Sequence, residues 1–126
     1  MNIVFSPEAP APIGPYSQAV RVGPFLFCSG QIALDPASGE FKNASIEEET
    51  RQVLANVKAV LAAGGLSFAD VAKTTIFLTD LGDFTTVNAI YGELLGGSLP
   101  ARSTVEVSKL PRGARVEIEC IAAAHG

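Results

Sequence analysis

The chain has one histidine, His125, no tryptophan, and only two cysteines, Cys28 and Cys120, so the side chains that most often do covalent or metal chemistry are scarce. A Ser-His-Asp triad or a multi-histidine metal site needs a histidine held in the body of a fold. His125 is the penultimate residue, where chains commonly fray. The cysteines form no Cys-x-x-Cys, and neither a GxxxxGK[ST] loop nor a GxGxxG turn is present. No apolar run approaches the ~20 residues that span a bilayer. Met1 to Ala11 lacks the basic start and apolar core of a signal peptide. The expected compartment is therefore the cytoplasm, with both thiols reduced. Positive charge is short as well: nine Lys and Arg against thirteen Asp and Glu leave a net charge of −4 and a pI near 4.9. That balance argues against a nucleic-acid partner, which would need a broad basic surface.

What is present suits a globular chain. The 126 residues are 48% hydrophobic and 17% charged, the balance of one domain spanning residues 1–126. Ser6 to Tyr16 holds Pro7, Pro10, Pro12 and Pro15, with Gly14 between the last two. Proline lacks an N–H and fixes φ, so this stretch is excluded from helices and inner strands. It reads as a surface tail, or as an arm that positions Tyr16 and the strand after it. Gln18–Val22 and Phe25–Ser29 flank the breakers Gly23-Pro24 and predict a hairpin. Across a two-residue loop Val20, Val22, Phe25 and Phe27 share one face, and Leu26 and Cys28 the other. Asp35 to Gly39 marks a turn.

Ser45 and Glu48 form an S-x-x-E capping box, and Glu47, Glu48 and Glu49 place anions in the first turn, where the helix dipole favours them. Ile46, Val53, Leu54, Val57, Val60 and Leu61 then recur at helical spacing until Gly64-Gly65. Val71–Thr79 reads as a strand. A second helix opens near Asp83, carries Phe84, Val87, Tyr91, Leu94 and Leu95 along one stripe, and stops at Gly96-Gly97. Ala101–Val107 and Arg115–Ala123 supply the last strands. The order ββ-α-β-α-ββ predicts an α+β fold, a mixed sheet with two helices packed on one face.

Strand residues alternate sides. Ser103, Val105 and Val107 oppose Arg102, Thr104 and Glu106; Val116, Ile118, Cys120 and Ala122 oppose Arg115, Glu117, Glu119 and Ile121. The simple expectation is an apolar face under the helices and a solvated charged face. Yet Val71 and Phe77 oppose Ile76 and Leu78, and the first hairpin is also apolar on both sides. Two helices cover only one face. A second copy of the chain is the economical cover for the other, which predicts an oligomer with polar pockets at its seams. Charges enclosed there, Arg102 and Glu119 among them, need partners or a ligand.

Several segments, in order, resemble the Rid (YjgF-type) proteins: Ile13-Gly14-Pro15-Tyr16-Ser17-Gln18, Ser29-Gly30-Gln31-Ile32, Asn56-Val57-Lys58-Ala59-Val60-Leu61, Lys73-Thr74-Thr75-Ile76-Phe77, Val87-Asn88, Pro100-Ala101-Arg102-Ser103 and Val116-Glu117-Ile118-Glu119-Cys120-Ile121-Ala122. The resemblance spans nearly the whole chain. It implies a chorismate-mutase-like subunit assembled as a homotrimer, with ligand clefts between subunits and neither metal nor organic cofactor. The implied reaction is hydrolysis of 2-enamino and 2-imino acids, such as 2-aminoacrylate, 2-iminopropanoate or 2-iminobutanoate, to 2-oxo acids and ammonia.

Arg102 resembles the family's carboxylate clamp, and a guanidinium can form two parallel bonds to a carboxylate while staying charged. Each such bond contributes about 1.5–3 kcal/mol, or roughly tenfold to several hundredfold in rate. Glu119 matches the acidic residue that handles protons for water, with Glu117 on the same face as the alternative; burial would raise such a carboxylate toward a useful base. Tyr16 matches the tyrosine that closes the pocket. Ser29 and Gly30 are expected to line the cleft, and Asn88 to add a polar contact. Thr104 stands where many of these deaminases carry cysteine, so no thiolate is available there and substrate range is the property affected. Phe84, Ile90 and Tyr91 read as core residues, Cys28 and Cys120 as buried small hydrophobes. A competing reading uses the same cleft without catalysis, to bind a small carboxylate metabolite or stabilise client proteins.

Overall fold

The alternating segments assemble into one mixed six-stranded sheet, described by a computed structural model for residues 1–125. In chain order the elements are β1 (Asn2–Val4), β2 (Ala19–Val22), β3 (Phe25–Gln31), α1 (Ile46–Ala63), β4 (Val71–Leu78), α2 (Phe84–Leu95), β5 (Ala101–Glu106) and β6 (Val116–Ala123). The spatial order is β1-β2-β3-β6-β4-β5, antiparallel except for the β4–β5 pair that α2 connects. This is the expected α+β architecture with one strand more. Three residues ahead of a proline-rich arm carry too short a pattern to read, but β1 pairs with β2 through Asn2, Ile3 and Val4.

Helix α1 starts where Ser45 accepts a hydrogen bond from the Glu48 N–H at 3.0 Å. Among the described residues the reciprocal half of the capping box, from Glu48 back to the Ser45 N–H, is not made. The complete box occurs instead at Ser67 and Asp70. Glu49 also departs from expectation. It is fully buried, and its carboxylate accepts from the Arg115 N–H at 2.6 Å, Arg115 Nε at 2.8 Å and the Val116 N–H at 3.3 Å. A first-turn anion thus ties the helix to the start of β6. At the other end Gly65, with φ +76°, takes the left-handed turn after the helix, and the Leu66 N–H returns to the Leu61 carbonyl at 2.9 Å.

The helices cover one sheet face. Leu26, Ile76, Leu78, Val116 and Ile118 are buried there against Val53, Leu54, Leu61, Val87 and Leu95 of the helices. Each fully buried aliphatic side chain contributes about 1.5–3 kcal/mol. Register sorts the rest. The hairpin pairs Val20 with Phe27 and Val22 with Phe25, as expected, leaving Leu26 and Cys28 facing the helices. On β5 the expected faces are reversed: Arg102, Thr104 and Glu106 pair with Thr74, Ile76 and Leu78, so the polar set lies on the helix side and Val105 on the open side. The reversal is possible because β5 is an edge strand whose residues stay exposed or half-buried. Val71 also changes sides. An extra residue in β4, between the Val71–Ala122 and Lys73–Ile121 pairs, bulges the strand and turns Val71 into the core.

The open face remains apolar. Ile3, Val22, Phe25, Phe27 and Val105 are each more than 40% exposed, and Ile121 and Phe77 lie half-buried among them. The proline-rich segment is an arm rather than a loose tail. Gln18, 2% exposed, receives the Ser6 N–H at 2.6 Å and donates to the carbonyls of Ser6, Ala9 and Pro10 at 2.9–3.3 Å. That single amide pins the arm onto β2 and so sets where Tyr16 stands.

Replacing Glu49 by alanine should lower stability by about 2–4 kcal/mol, because two backbone donors and a guanidinium lose a buried charged acceptor. The drop reads as a lower urea midpoint with an unchanged slope, and Glu49→Gln, which keeps one acceptor oxygen, should lose less.

Candidate functional site

Two separate constellations emerge, one on each face of the sheet. The first surrounds a cavity of about 490 Å³ lined by the arm (Pro10, Ile13, Tyr16), the end of β3 (Ser29, Gly30, Gln31) and the β5–β6 connection with β6 (Pro111, Arg112, Glu117). Its shape depends on a bulge. Cys28 pairs with Cys120 and Gln31 with Ile118, so three steps along β3 match two along β6. The extra residue breaks the ladder at Ser29-Gly30 and re-aims them. The Ser29 N–H reaches the Gln18 carbonyl at 2.9 Å, and its hydroxyl donates to the Ser17 carbonyl at 2.6 Å.

Gly30 then makes room for an acid. A methyl group on it would stand 2.2 Å from Glu117 Oε2 and 3.1 Å from Glu117 Cγ, so only glycine leaves that carboxylate its place. Glu117 is half-buried, and desolvation, reinforced by the negative charge of Glu119, holds its carboxyl above the usual carboxylate range. A raised carboxyl in a cavity that Tyr16 also lines suits proton transfer to and from a small ligand.

The second constellation is cationic. Arg102, on β5, donates from Nη1 to Asn88 Oδ1 at 2.7 Å and lies over the rings of Phe84, at 5.6 Å, and Tyr91, at 5.1 Å. The Tyr91 hydroxyl is in turn 2.7 Å from Thr74 Oγ1. Among the described residues no carboxylate pairs with Arg102, although its guanidinium is exposed and held on an aromatic shelf. Such a cation is ready for an anionic ligand. Ile90 and Tyr91 are buried as expected, and Phe84 packs against the core while supporting Arg102.

Within one chain the sequence-expected residues do not form one site. Tyr16, Ser29 and Gly30 share the cavity, whereas Arg102, Asn88 and Thr104 lie on the opposite sheet face. Asn88 orients the arginine rather than facing the cavity. The Thr104 hydroxyl is sealed from solvent without a hydrogen-bond partner, so it lines no cavity in the single chain. Glu119 stands on the open face beside Thr75, exposed and outside the cavity lining; the carboxylate in the cavity is Glu117. Two residues apart on β6, the two acids share a face, so alternation alone could not separate them. Arg112, which the pattern of strands passes over as a turn residue, also lines the cavity. Among the described residues no group of three or more His, Cys, Asp or Glu side chains is placed to hold a metal ion, and no helix is long and apolar enough to cross a membrane.

The family model described as endoribonuclease L-PSP matches residues 6–124. A mouse protein named 2-iminobutanoate/2-iminopropanoate deaminase is 50% identical over 121 residues, covering 96% of this chain and 90% of the relative. The crystal structure of a Thermotoga maritima protein superposes with a TM-score of 0.97 at 49% identity, over 100% of this chain and 99% of that one. Escherichia coli TdcF, crystallised with bound serine, gives a TM-score of 0.95 at 41% identity over 99% and 100% of the two chains. With the family match running across both constellations and the shared chorismate-mutase-like architecture, this chain belongs to the endoribonuclease L-PSP family, the group of the YjgF and Rid proteins.

Proposed function

We propose that the protein hydrolyses small 2-imino and 2-enamino acids to 2-oxo acids and ammonia, at sites completed between copies of the chain. The observation that carries this reading is the division of labour: a desolvated carboxylate in a cavity on one side, and on the other an arginine on an aromatic shelf that pairs with no carboxylate among the described residues. The mouse relative's name and the serine held by TdcF support a small nitrogen-bearing acid as substrate. The uncovered apolar face supports self-association, and a homotrimer is the assembly in which each cavity receives a neighbour's Arg102.

In this reaction Arg102 grips the substrate carboxylate. Ionised Glu117 takes a proton from water as its oxygen attacks the C=N carbon, giving a carbinolamine. Glu117 returns that proton to the nitrogen, and as the C–N bond breaks and ammonia leaves, the hydroxyl gives up its own proton to Glu117 and on to solvent, leaving a 2-oxo acid. Tyr16 closes the cavity mouth and offers its hydroxyl to the nitrogen or the developing alcohol. The family description also names an endoribonuclease, but a net charge of −4 supplies no extended basic track for an RNA backbone.

Mixed with an amino-acid dehydratase and serine or threonine, the purified protein should speed 2-oxo acid release. Arg102→Ala should reduce that acceleration tenfold to several hundredfold by removing charge-assisted bonds to the carboxylate. An unchanged rate would remove Arg102 from the mechanism.

The two acids separate by pH. Glu117 must be ionised to act as a base, and its raised pKa places the acidic limb of the rate profile above the usual carboxylate range. Glu117→Gln should abolish turnover while sparing 2-oxo acid binding, which a mere binding module would not distinguish. Glu119→Gln should keep turnover and move the acidic limb to lower pH, since it deletes the charge that helps raise Glu117.

Phe27→Asp puts a charge in the middle of the open apolar face. It should yield monomers by light scattering and lose the rate acceleration together with the assembly; a fully active monomer would show that one copy suffices.

A further inference from the structure

We infer that Cys28 and Cys120 form a two-electron redox site, a thiol pair that a hydroperoxide converts to a cross-strand disulfide stapling β3 to β6. The two are the chain's only cysteines. Far apart in sequence, they stand directly opposite each other, because the antiparallel register of β3 and β6 pairs Cys28 with Cys120. Residues so paired have Cα atoms about 4.5–5.5 Å apart and side chains on one face. A disulfide spans Cα separations of about 4.4–6.8 Å, so the bridge fits the existing register. Both thiols are free in the structure. The two strands lie inside the sheet, flanked by β2 and β4, so neither slips without breaking a second ladder. Burial alone accounts for either cysteine as a small apolar filler. It does not account for their meeting. Filling space asks only for volume, which the next pair on that face supplies with a large residue and a small one, Leu26 and Ala122.

The pair is also divided chemically. The Cys120 S–H, donating to Cys28, holds that thiol below the usual range, whereas Cys28 and burial push Cys120 up. Cys28 is 9% exposed against 3% for Cys120, so the sulfur that ionises more readily is also the one nearer solvent. Both belong to the core under the helices and not to the open apolar side, so a second copy on that side does not cover them. The Cys28 thiolate attacks the hydroxyl oxygen of the peroxide, the O–O bond breaks, and Cys28 becomes a sulfenic acid as hydroxide or alkoxide leaves. The Cys120 sulfur then attacks the Cys28 sulfur, the S–S bond forms, and the sulfenic hydroxyl leaves with the Cys120 proton as water. Two electrons pass from sulfur to peroxide oxygen. The bridge lies one residue before the bulge at Ser29-Gly30, fastening the last regular pair of the ladder behind the cavity wall. It closes a loop that contains both helices, and long closed loops restrain the unfolded chain most.

The test exposes the reduced full chain to hydrogen peroxide and stops the reaction with catalase. Thiol titration in denaturant should fall from two per chain to none. The intact mass should drop by two hydrogens, and a protease digest should contain a Cys28–Cys120 peptide pair that dithiothreitol separates. The urea midpoint should rise on oxidation and return on reduction. Cys120→Ala leaves the attacking sulfur without its partner, so peroxide should add oxygen to Cys28 as a sulfenic acid that dimedone captures. Cys28→Ala should leave Cys120 unmodified under the same exposure. Alanine already fills the next position on that face, Ala122, and circular dichroism checks that each variant is folded. Two thiols that survive the exposure, oxygen added to the wild-type chain without a bridge, a disulfide between chains, or a midpoint that does not rise overturns the inference. None of these readouts involves turnover, so the deaminase reading stands or falls apart from them.

Discussion

A six-stranded sheet has two faces, and this chain carries helices for one. The consequence is physical before it is functional. Ile3, Val22, Phe25, Phe27 and Val105 stand on the open side with much of their surface exposed, an arrangement that costs the free energy of hydrating apolar area, at about 25 cal/mol per Å². A covering layer recovers that energy, and the layer most available to a short chain is another copy of itself. The same constraint governs the placement of chemistry. With α1 and α2 packed on the helix side, the cavity of about 490 Å³ forms elsewhere. It opens at the ends of β3 and β6, where the bulge at Ser29-Gly30 and the pinned arm leave space.

The elements legible in the sequence were those whose signals are local. Gly23-Pro24 between two apolar runs sufficed for the hairpin and its register, because a two-residue loop leaves one pairing that keeps Leu26 and Cys28 together. Ser45 and Gly64-Gly65 bounded α1 to within a residue or two, since capping is decided by nearest neighbours. What escaped was decided by tertiary structure. Glu49 resembled its two acidic neighbours until Arg115, sixty-six positions away, proved to supply its donors. Val71 obeyed alternation in the sequence and broke it at a bulge that no single strand announces. On β5 the polar set faces the helices because edge position, invisible in the strand itself, lets Arg102 extend past α2 into solvent.

The site was legible in composition and illegible in grouping. Tyr16, Ser29 and Gly30 do meet, and Arg102 does stand unpaired among the described residues. Glu117 and Glu119 share a face, so alternation could not choose between them. The choice comes from Gly30, whose missing side chain opens a place for one carboxylate and not the other. A glycine on one strand therefore carries information about an acid on the next.

The separation of cation and base on opposite faces also has an electrostatic logic. Were Arg102 beside Glu117 in the folded chain, the two would pair, the carboxyl would be held low by the guanidinium, and the arginine's charge would already be neutralised before a substrate arrived. Kept apart, Glu117 retains the pKa that desolvation and Glu119 raise, and Arg102 retains its open valences. In the proposed reaction they approach only when chains assemble and a substrate lies between them. Its carboxylate then satisfies the guanidinium, so that the cation is neutralised by ligand rather than by the base. A fold that placed both groups in one wall would be a better ion pair and a poorer catalyst.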